Sequence, residues 1–376
     1  MCTIVTIAKN DVVLAGNNED YTEPRTKIWF VPASKEAYGR VYVGYDHAIV
    51  YSRFQGGMND QGLFIDINAV APTGWQADPR KLNFNGDIIE HVLSYCSTVD
   101  AAVDFFQRNN VPDLERTRIP VADAKGDSVI IEWAKGKVQF LFKKEFYQIS
   151  TNFIQSNYDN PDEYPCARYK IADDILKNAK TPSVDLIRSV LSATHFEYFG
   201  QTLYSNICDL KKRRIYLYFF HNFEEAVVFD LEKELKKGEM AYPIPSLFAT
   251  KPFAAYLFEQ IGPQIGAKAV IDIVNERGIK EGIEQFNELR KQSRQITRYI
   301  FEEWVLRDVG LIFLSKKRMK EAIEIFKLNS QLYPKSRQVY KDLADAYVRN
   351  GQRKLAARNY EKAKNLNPIV DHSDRD

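Results

Sequence analysis

The stretch MCTIVTIAKNDVVLAGNNEDY, residues 1–21, decides how the chain is read. Two β-rich runs, Thr3–Ala8 and Val12–Gly16, flank the turn residues Lys9-Asn10-Asp11, which predicts a pair of strands. Cys2 follows the initiator Met1, and its small side chain permits removal of that methionine. A chain beginning at Cys2 carries a thiol and a free α-amine on one residue. The amine titrates at about 7.7–8.0 and the thiol at about 8.5, so the amine is a base within reach of the thiol. A nucleophile of this kind needs no histidine. Taken alone, Cys2 is weak evidence and reads first as an incidental apolar strand residue.

Outward from this segment, residues 1–230 alternate strand-like and helix-like blocks. Further β-rich runs lie at Lys27–Val31, Gly62–Asn68, Ser128–Trp133, Val138–Lys143 and Phe146–Thr151. Leu203–Leu210 and Arg214–Phe220 read as a hairpin closed by the basic run Lys211-Lys212-Arg213-Arg214, which is a solvated turn before it is a binding patch. Amphipathic stretches at Asp87–Tyr95, Asp100–Arg108, Arg168–Leu176 and Asp185–Leu191 predict helices. Strand pairs interrupted by helix pairs imply antiparallel sheets with helices packed outside them.

Tyr242-Pro243-Ile244-Pro245 interrupts this alternation, and beyond it the chain reads as helix almost to its end. Leu306, Val309, Gly310, Phe313, Ala322, Phe326 and Pro334 recur 34 residues later as Tyr340, Leu343, Ala344, Tyr347, Ala356, Tyr360 and Pro368. Large residues meet small ones where two helices must pack closely, and each unit ends in a helix-stopping proline. The pattern resembles the tetratricopeptide repeat, with Ala267–Lys291 as a degenerate hairpin that starts the stack. The expected organisation is residues 1–245, a helical connector over 246–298, two repeats over 299–370 and a tail over 371–376. Short arrays of this type imply protein binding or self-association, or else a passive stabilising extension.

The bulk numbers set limits. The chain has 376 residues, 45% hydrophobic and 27% charged, with a formal net charge of +2. Such a balance predicts a globular protein with a substantial core, and it does not favour nucleic acid or an acidic membrane as partner. No run approaches the ~20 apolar residues needed to span a bilayer. No signal peptide is visible, so a cytoplasmic location is expected, or an exported one if a leader once preceded Cys2. Cys2, Cys96, Cys166 and Cys208 form no C-x-x-C pair, and the five histidines show no metal-ligand spacing. There is no P-loop and no G-x-G-x-x-G. No metal or organic cofactor is expected.

In fuller context, MCT, an apolar strand, a turn, a second strand and Gly16-Asn17-Asn18-Glu19-Asp20-Tyr21 resemble the opening of the choloylglycine hydrolase family. That family includes bile salt hydrolases and penicillin V acylases and belongs to the N-terminal nucleophile (Ntn) hydrolases. Gly57-Met58-Asn59-Asp60-Gln61-Gly62-Leu63 is similar to its G-M-N-E-K-G-L. Ala122-Asp123-Ala124-Lys125-Gly126-Asp127-Ser128 resembles its A-D-x-x-G-[DE]-S. Thr151-Asn152 resembles its T-N, Ala167-Arg168-Tyr169 its S-R-F, and Thr202-Leu203-Tyr204-Ser205 its T-[IL]-Y-S. The order of these blocks over residues 2–220 carries the resemblance.

The resemblance implies an α+β fold, an αββα sandwich of antiparallel sheets flanked by helices, followed here by the all-α repeat segment. It implies Cys2 as nucleophile and Asp20 as the carboxylate beside it, orienting the new ammonium or the thiol. Asn68 becomes the oxyanion donor, Asn152 a substrate or intermediate contact, and Arg168 the active-site arginine. Each has a plainer reading: Asp20, Asn68 and Asn152 as turn formers and Arg168 as an exposed helix residue. The family usually has Arg after the glycine where this chain has Asn17, which removes a cation expected near the thiolate. Arg168 and Arg25 are the candidate replacements. This departure looks more like the acyl-coenzyme A:6-aminopenicillanate acyltransferase relatives.

The implied reaction is cleavage of a small, linear, non-peptide acyl amide through a Cys2 thioester. The alternatives are acyl transfer from the same thioester, or a lapsed catalytic domain whose repeats do the work. Tyr21, Trp29, Phe54, Phe64, Phe153 and Phe196–Phe199 are either the lining of an apolar acyl pocket or core.

Overall fold

The structure, a computed structural model, describes residues 2–249 except 23, 50–51 and 197–200, together with 252, 255, 264–265, 273–292, 299–300 and 303–366. Contacts divide the chain into two compact units, Met1–Tyr256 and Leu257–Asp376.

The first unit is built from β1 (Thr3–Lys9), β2 (Val12–Tyr21), β3 (Thr26–Val31), β4 (Arg40–Ile49), β5 (Ser52–Asn59), β6 (Phe64–Asp66), β7 (Asn68–Ala69), β8 (Leu82–Asn83), α1 (Ile88–Tyr95), α2 (Val99–Arg108) and β9 (Asn109–Asn110). It continues with β10 (Thr117–Ala122), β11 (Ser128–Ala134), β12 (Lys137–Phe142), β13 (Tyr147–Ser150), α3 (Ala167–Lys177), α4 (Val184–Ala193), β14 (Gln201–Asp209), β15 (Arg214–Phe219), β16 (Asn222–Asp230), α5 (Leu231–Leu235) and β17 (Met240–Pro243). One sheet runs β13-β1-β2-β14-β15-β16, and a second runs β12-β11-β10-β6-β5-β4-β3-β17, with β7 beside β10.

Alternation along each strand assigns the layers. Val5, Ile7, Leu14 and Ile207 of the first sheet pack against Ala172, Leu176, Ile187 and Leu191 of α3 and α4. The intervening Thr6 instead hydrogen-bonds Ser128 of β11 at 2.9 Å, so even positions of β1 face the other sheet. Ile65, Ile119 and Val121 of the second sheet pack against Ile89, Val92, Leu93 and Phe106 of α1 and α2. The result is the expected helix, sheet, sheet, helix layering of a mixed α+β unit. α1 follows the expected Asp87, whose side chain caps it, while α2 and α4 start one residue ahead of the expected Asp100 and Asp185, capped by Thr98 and Ser183.

Some strands were hidden from pattern reading. β4 and β5 contain Gly44, Gly56 and Gly57, which break the alternation. A Cβ on Gly57 would lie 2.0 Å from the Val41 carbonyl oxygen, so close strand approach demands glycine there. Pro120 obscures β10, and Pro243 ends the edge strand β17, which pairs with β3. The expected strand Gly62–Asn68 is corrected to a turn followed by β6 and, separately, β7. Gly62 sits at φ +80° with the Leu210 carbonyl oxygen 2.3 Å from where its Cβ would be. Asn59 organises that turn by accepting from the amides of Gln61 and Leu63. The Gly57–Leu63 block is therefore architectural. The basic run forms the turn between β14 and β15 as expected, with Arg213 donating to the Asp60 and Gln61 carbonyls.

The second unit contains helices Ile279–Gln292, Glu303–Ser315, Met319–Leu332, Arg337–Arg349 and Arg353–Asn365. Their core joins Leu306, Val309, Phe313, Ala322, Phe326, Leu343, Tyr347 and Ala356. Gly310 admits the Phe326 ring, which would lie 2.3 Å from a Cβ. Uninterrupted helix was expected here. Instead, Gln264–Ile265 and Tyr299–Ile300 form a short parallel bridge. Residues 267–272 of the expected starting hairpin, Pro368 and the tail lie outside the described residues. Among the described residues no helix is long and apolar enough to cross a membrane, and no cluster of metal-ligating side chains occurs.

Candidate active site

β1 and β2 pair with Thr3 opposite Asn18 and Ile4 opposite Asn17. Continuing this register by one residue sets Cys2 opposite Glu19. Cross-strand partners share a face, so Cys2 and Glu19 both point between the sheets, and Asp20 points to the helix-covered side. The geometry agrees: Cys2 Sγ donates to Glu19 Oε2 at 3.7 Å, and Asp20 lies 3.6 Å from Arg168 of α3. Asp20 reaches the thiol through its backbone N–H. The carboxyl that meets the thiol is therefore Glu19, which the sequence reading passed over. The register of the strand pair is the signal that finds it.

The five residues expected at the site converge on one end of the sandwich. Asn152, just beyond β13, accepts from the Cys2 backbone nitrogen at 2.8 Å and from Arg168 Nη2 at 2.8 Å. Its own amide donates to the Ala69 carbonyl at 2.8 Å. Arg168 also donates to Thr3 Oγ1 at 2.9 Å. Asn68 donates to the Cys2 carbonyl at 3.1 Å and accepts from Ser150. Thr202 of β14 donates to Asp20 Oδ1 at 2.5 Å. Asn18 is consumed structurally, bridging Ser205 and the Leu191 carbonyl.

A second residue missed by motif reading is Arg118 of β10. Fully buried, it pairs with buried Glu132 at 3.1 Å. It also donates to the carbonyls of Thr151 and Phe153 and to Gln155 Oε1. Those two carbonyls flank Asn152, so Arg118 holds the loop that presents it. Only contacts made far apart in sequence distinguish Arg118 from any other arginine.

The electrostatics follow from burial. Desolvation pushes the Cys2 thiol well up, with the Glu19 charge adding to it and the positive amino terminus opposing it. Desolvation pushes Asp20 up to about 6, opposed by the amino terminus and by Arg168. Desolvation also raises Glu19, against hydrogen bonds from Tyr45, at 2.6 Å, and Asn17. Arg168 spends its guanidinium on Asn152, Thr3 and Asp20, and Arg25 offers its carbonyl to the Asp46 amide.

Of the aromatic candidates, Phe64 is fully buried, and Trp29 and Phe54 lie in the core beneath α1, where Phe54 meets Trp29 edge-on and stacks on Tyr42. Phe153 belongs to a cluster with Tyr158, Tyr164 and Tyr169 next to Asn152 and Arg168. Phe199 lies outside the described residues.

The family model described as acyl-coenzyme A:6-aminopenicillanic acid acyl-transferase matches residues 7–223. Among curated proteins, none matches the chain. Among solved structures, one variant of a conjugated bile acid hydrolase from Clostridium perfringens aligns with a TM-score of 0.53 at 16% identity, covering 64% of this chain and 96% of its own. A second variant of that enzyme aligns with a TM-score of 0.53 at 15% identity, covering 67% of this chain and all of its own. A penicillin V acylase from Agrobacterium tumefaciens aligns with a TM-score of 0.47 at 17% identity, covering 64% and 90%. The first two matches identify a shared fold.

Proposed function

For a chain that belongs to the acyl-coenzyme A:6-aminopenicillanic acid acyl-transferase family, we propose that Cys2, after loss of Met1, is an N-terminal nucleophile that cleaves a small, linear acyl amide. The observation that carries this reading is the 2.8 Å contact between the Cys2 backbone nitrogen and Asn152 Oδ1, in a site that also gathers Asp20, Asn68 and Arg168. In a chain beginning at Cys2 that nitrogen is the α-amine, already seated on an acceptor.

The α-amine takes the thiol proton, and the thiolate attacks the amide carbon. Asn68 and Asn152 each carry two amide hydrogens. These amides and nearby backbone N–H groups are the proposed donors to the tetrahedral oxyanion, where one donor is worth ~3–4 kcal/mol in comparable sites. Asp20 and Arg168 fix Asn152 and the amino terminus between them. The leaving amine collects the proton from the α-ammonium, a thioester stays on Cys2, and water releases the acid. The Phe153–Tyr164–Tyr169 cluster supports an aromatic or hydrophobic acyl group.

The family description favours a second reading, in which an amine instead of water takes the acyl group. For residues 299–370 we propose two tetratricopeptide repeats that bind a protein or a second copy, with residues 1–245 as the catalytic part. Four successive helices and the small residue at Gly310 support the repeats.

The test is intact mass spectrometry of wild type and Cys2→Ala, quenched after mixing with bile-acid, phenoxyacetyl and fatty-acyl amides. An acyl adduct on the N-terminal peptide of the wild type, absent from the variant, establishes the nucleophile and names the acyl class. Retained Met1, or a Cys2 that never acylates, removes the hydrolase and transferase readings together.

A further inference from the structure

We infer that Glu19 is a catalytic residue held as a neutral carboxylic acid beside Cys2, where it donates a hydrogen bond to the thiolate. The inference rests on Cys2 being the nucleophile and adds a partner to it.

Geometry comes first. Strand register places Glu19 directly across from Cys2, with Oε2 3.7 Å from Sγ. Tyr45 on β4 grips Oε1 at 2.6 Å and Asn17 approaches Oε2 at 3.5 Å, which holds the carboxyl beside the sulfur. Both Glu19 and Cys2 are almost wholly buried.

The surroundings then decide the charge. Glu19 faces Cys2 just before β1, Tyr45 of β4, Asp66 of β6 and Tyr204 of β14, with Asn17 and Asp20 on its own strand. All the titratable side chains in that set are acids. Among the described residues no lysine or arginine pairs with Glu19, and the positive group acting on it is the amino terminus. Burial raises both Glu19 and Asp66. A carboxylate and a thiolate cannot share this dry space, since buried like charges force one group to keep its proton. When the α-amine takes the thiol proton, the negative charge appears on sulfur, and the proton retained by Glu19 is the donor that meets it. The Asp20 backbone N–H is the other donor. No proton leaves Glu19 in this step, so it returns unchanged after acyl transfer.

The test measures alkylation of Cys2 by iodoacetamide from pH 5 to 10, quantified on the N-terminal peptide of the full chain, in wild type, Glu19→Gln and Glu19→Met. Gln keeps a neutral donor, and Met keeps the volume without one. The expected result is a Gln rate within about threefold of wild type at pH 7, and a Met rate at least tenfold lower. A Gln variant tenfold or more slower shows that a charged carboxylate is needed and overturns the inference. Equal rates in all three make Glu19 a spectator and overturn it as well. Cys96 and Cys208 in the same samples report any loss of fold. If Met unfolds, the infrared difference between wild type and Gln at pH 7 decides: a protonated-carboxyl band supports the inference, and a carboxylate band ends it. Alkylation needs no amide substrate. A Cys2 that alkylates as expected yet forms no acyl adduct sinks the amidase reading, and with it any catalytic role of Glu19, while the hydrogen bond from the neutral carboxyl to the thiolate stands.

Discussion

Arg118 and Asn68 are register partners across the bridge between β10 and β7. The guanidinium that clamps the carbonyls on either side of Asn152 thus springs from the residue opposite the other site asparagine. One cross-strand pair thereby ties two segments of the candidate site to a common scaffold.

Arg118→Met should cost about 3–5 kcal/mol, because Glu132 is left as an uncompensated buried charge. Adding Glu132→Gln should restore much of that stability, measured by urea unfolding. Turnover should stay at least tenfold below wild type in the double variant, because the Asn152 loop has lost its donors. Full recovery of turnover would assign Arg118 a purely structural role.

Asn68→Ala and Asn152→Ala should each slow acylation ~10²–10³-fold if their amides serve the oxyanion. Single-turnover mass spectrometry separates this step from substrate binding. Asn152→Ala should also slow it further than Asn68→Ala, since Asn152 holds the Cys2 nitrogen and Arg168 as well. Unchanged acylation in both would move the oxyanion site to backbone donors.

Asp20 sits at about 6 in the folded chain against an ordinary value of 3.8. The folded state therefore binds this proton more tightly than the unfolded state. The resulting stabilisation is full below the ordinary value and lost as pH rises through about 6. Asp20→Asn should accordingly be more stable than wild type at pH 8, by on the order of 1–3 kcal/mol, with no gain at pH 3. The same substitution should remove the rise in activity through pH 6 that the ionised carboxylate supports. Urea midpoints at both pH values and a pH–rate profile check the two halves.

Gly310→Val should destabilise the second unit by about 1–3 kcal/mol, because the buried Phe326 ring occupies the space of the new side chain. Helical circular dichroism should then show an earlier transition. A Val variant that melts with wild type would mean the Phe326 ring yields without cost.

The strand runs 3–8 and 12–16, the helices beginning near Asp87, Asp100 and Asp185, the basic turn before Arg214 and the largely helical end of the chain were legible, because each is written in local periodicity or turn chemistry. The extension of β2 to Tyr21 and the caps at Thr98 and Ser183 came from the structure. The residues Cys2, Asp20, Asn68, Asn152 and Arg168 could be named from short blocks, because each block keeps its spacing. What only the tertiary structure decided is which carboxyl meets the thiol and what holds the asparagine loop. A strand turns adjacent side chains to opposite faces, so Glu19 and Asp20 are equivalent candidates until the register with β1 is known. Arg118 acquires its partners from residues 132 to 155, brought beside it by sheet packing and not by any pattern in its own neighbourhood. Sequence carries periods and motifs, and the pairing of strands converts them into faces.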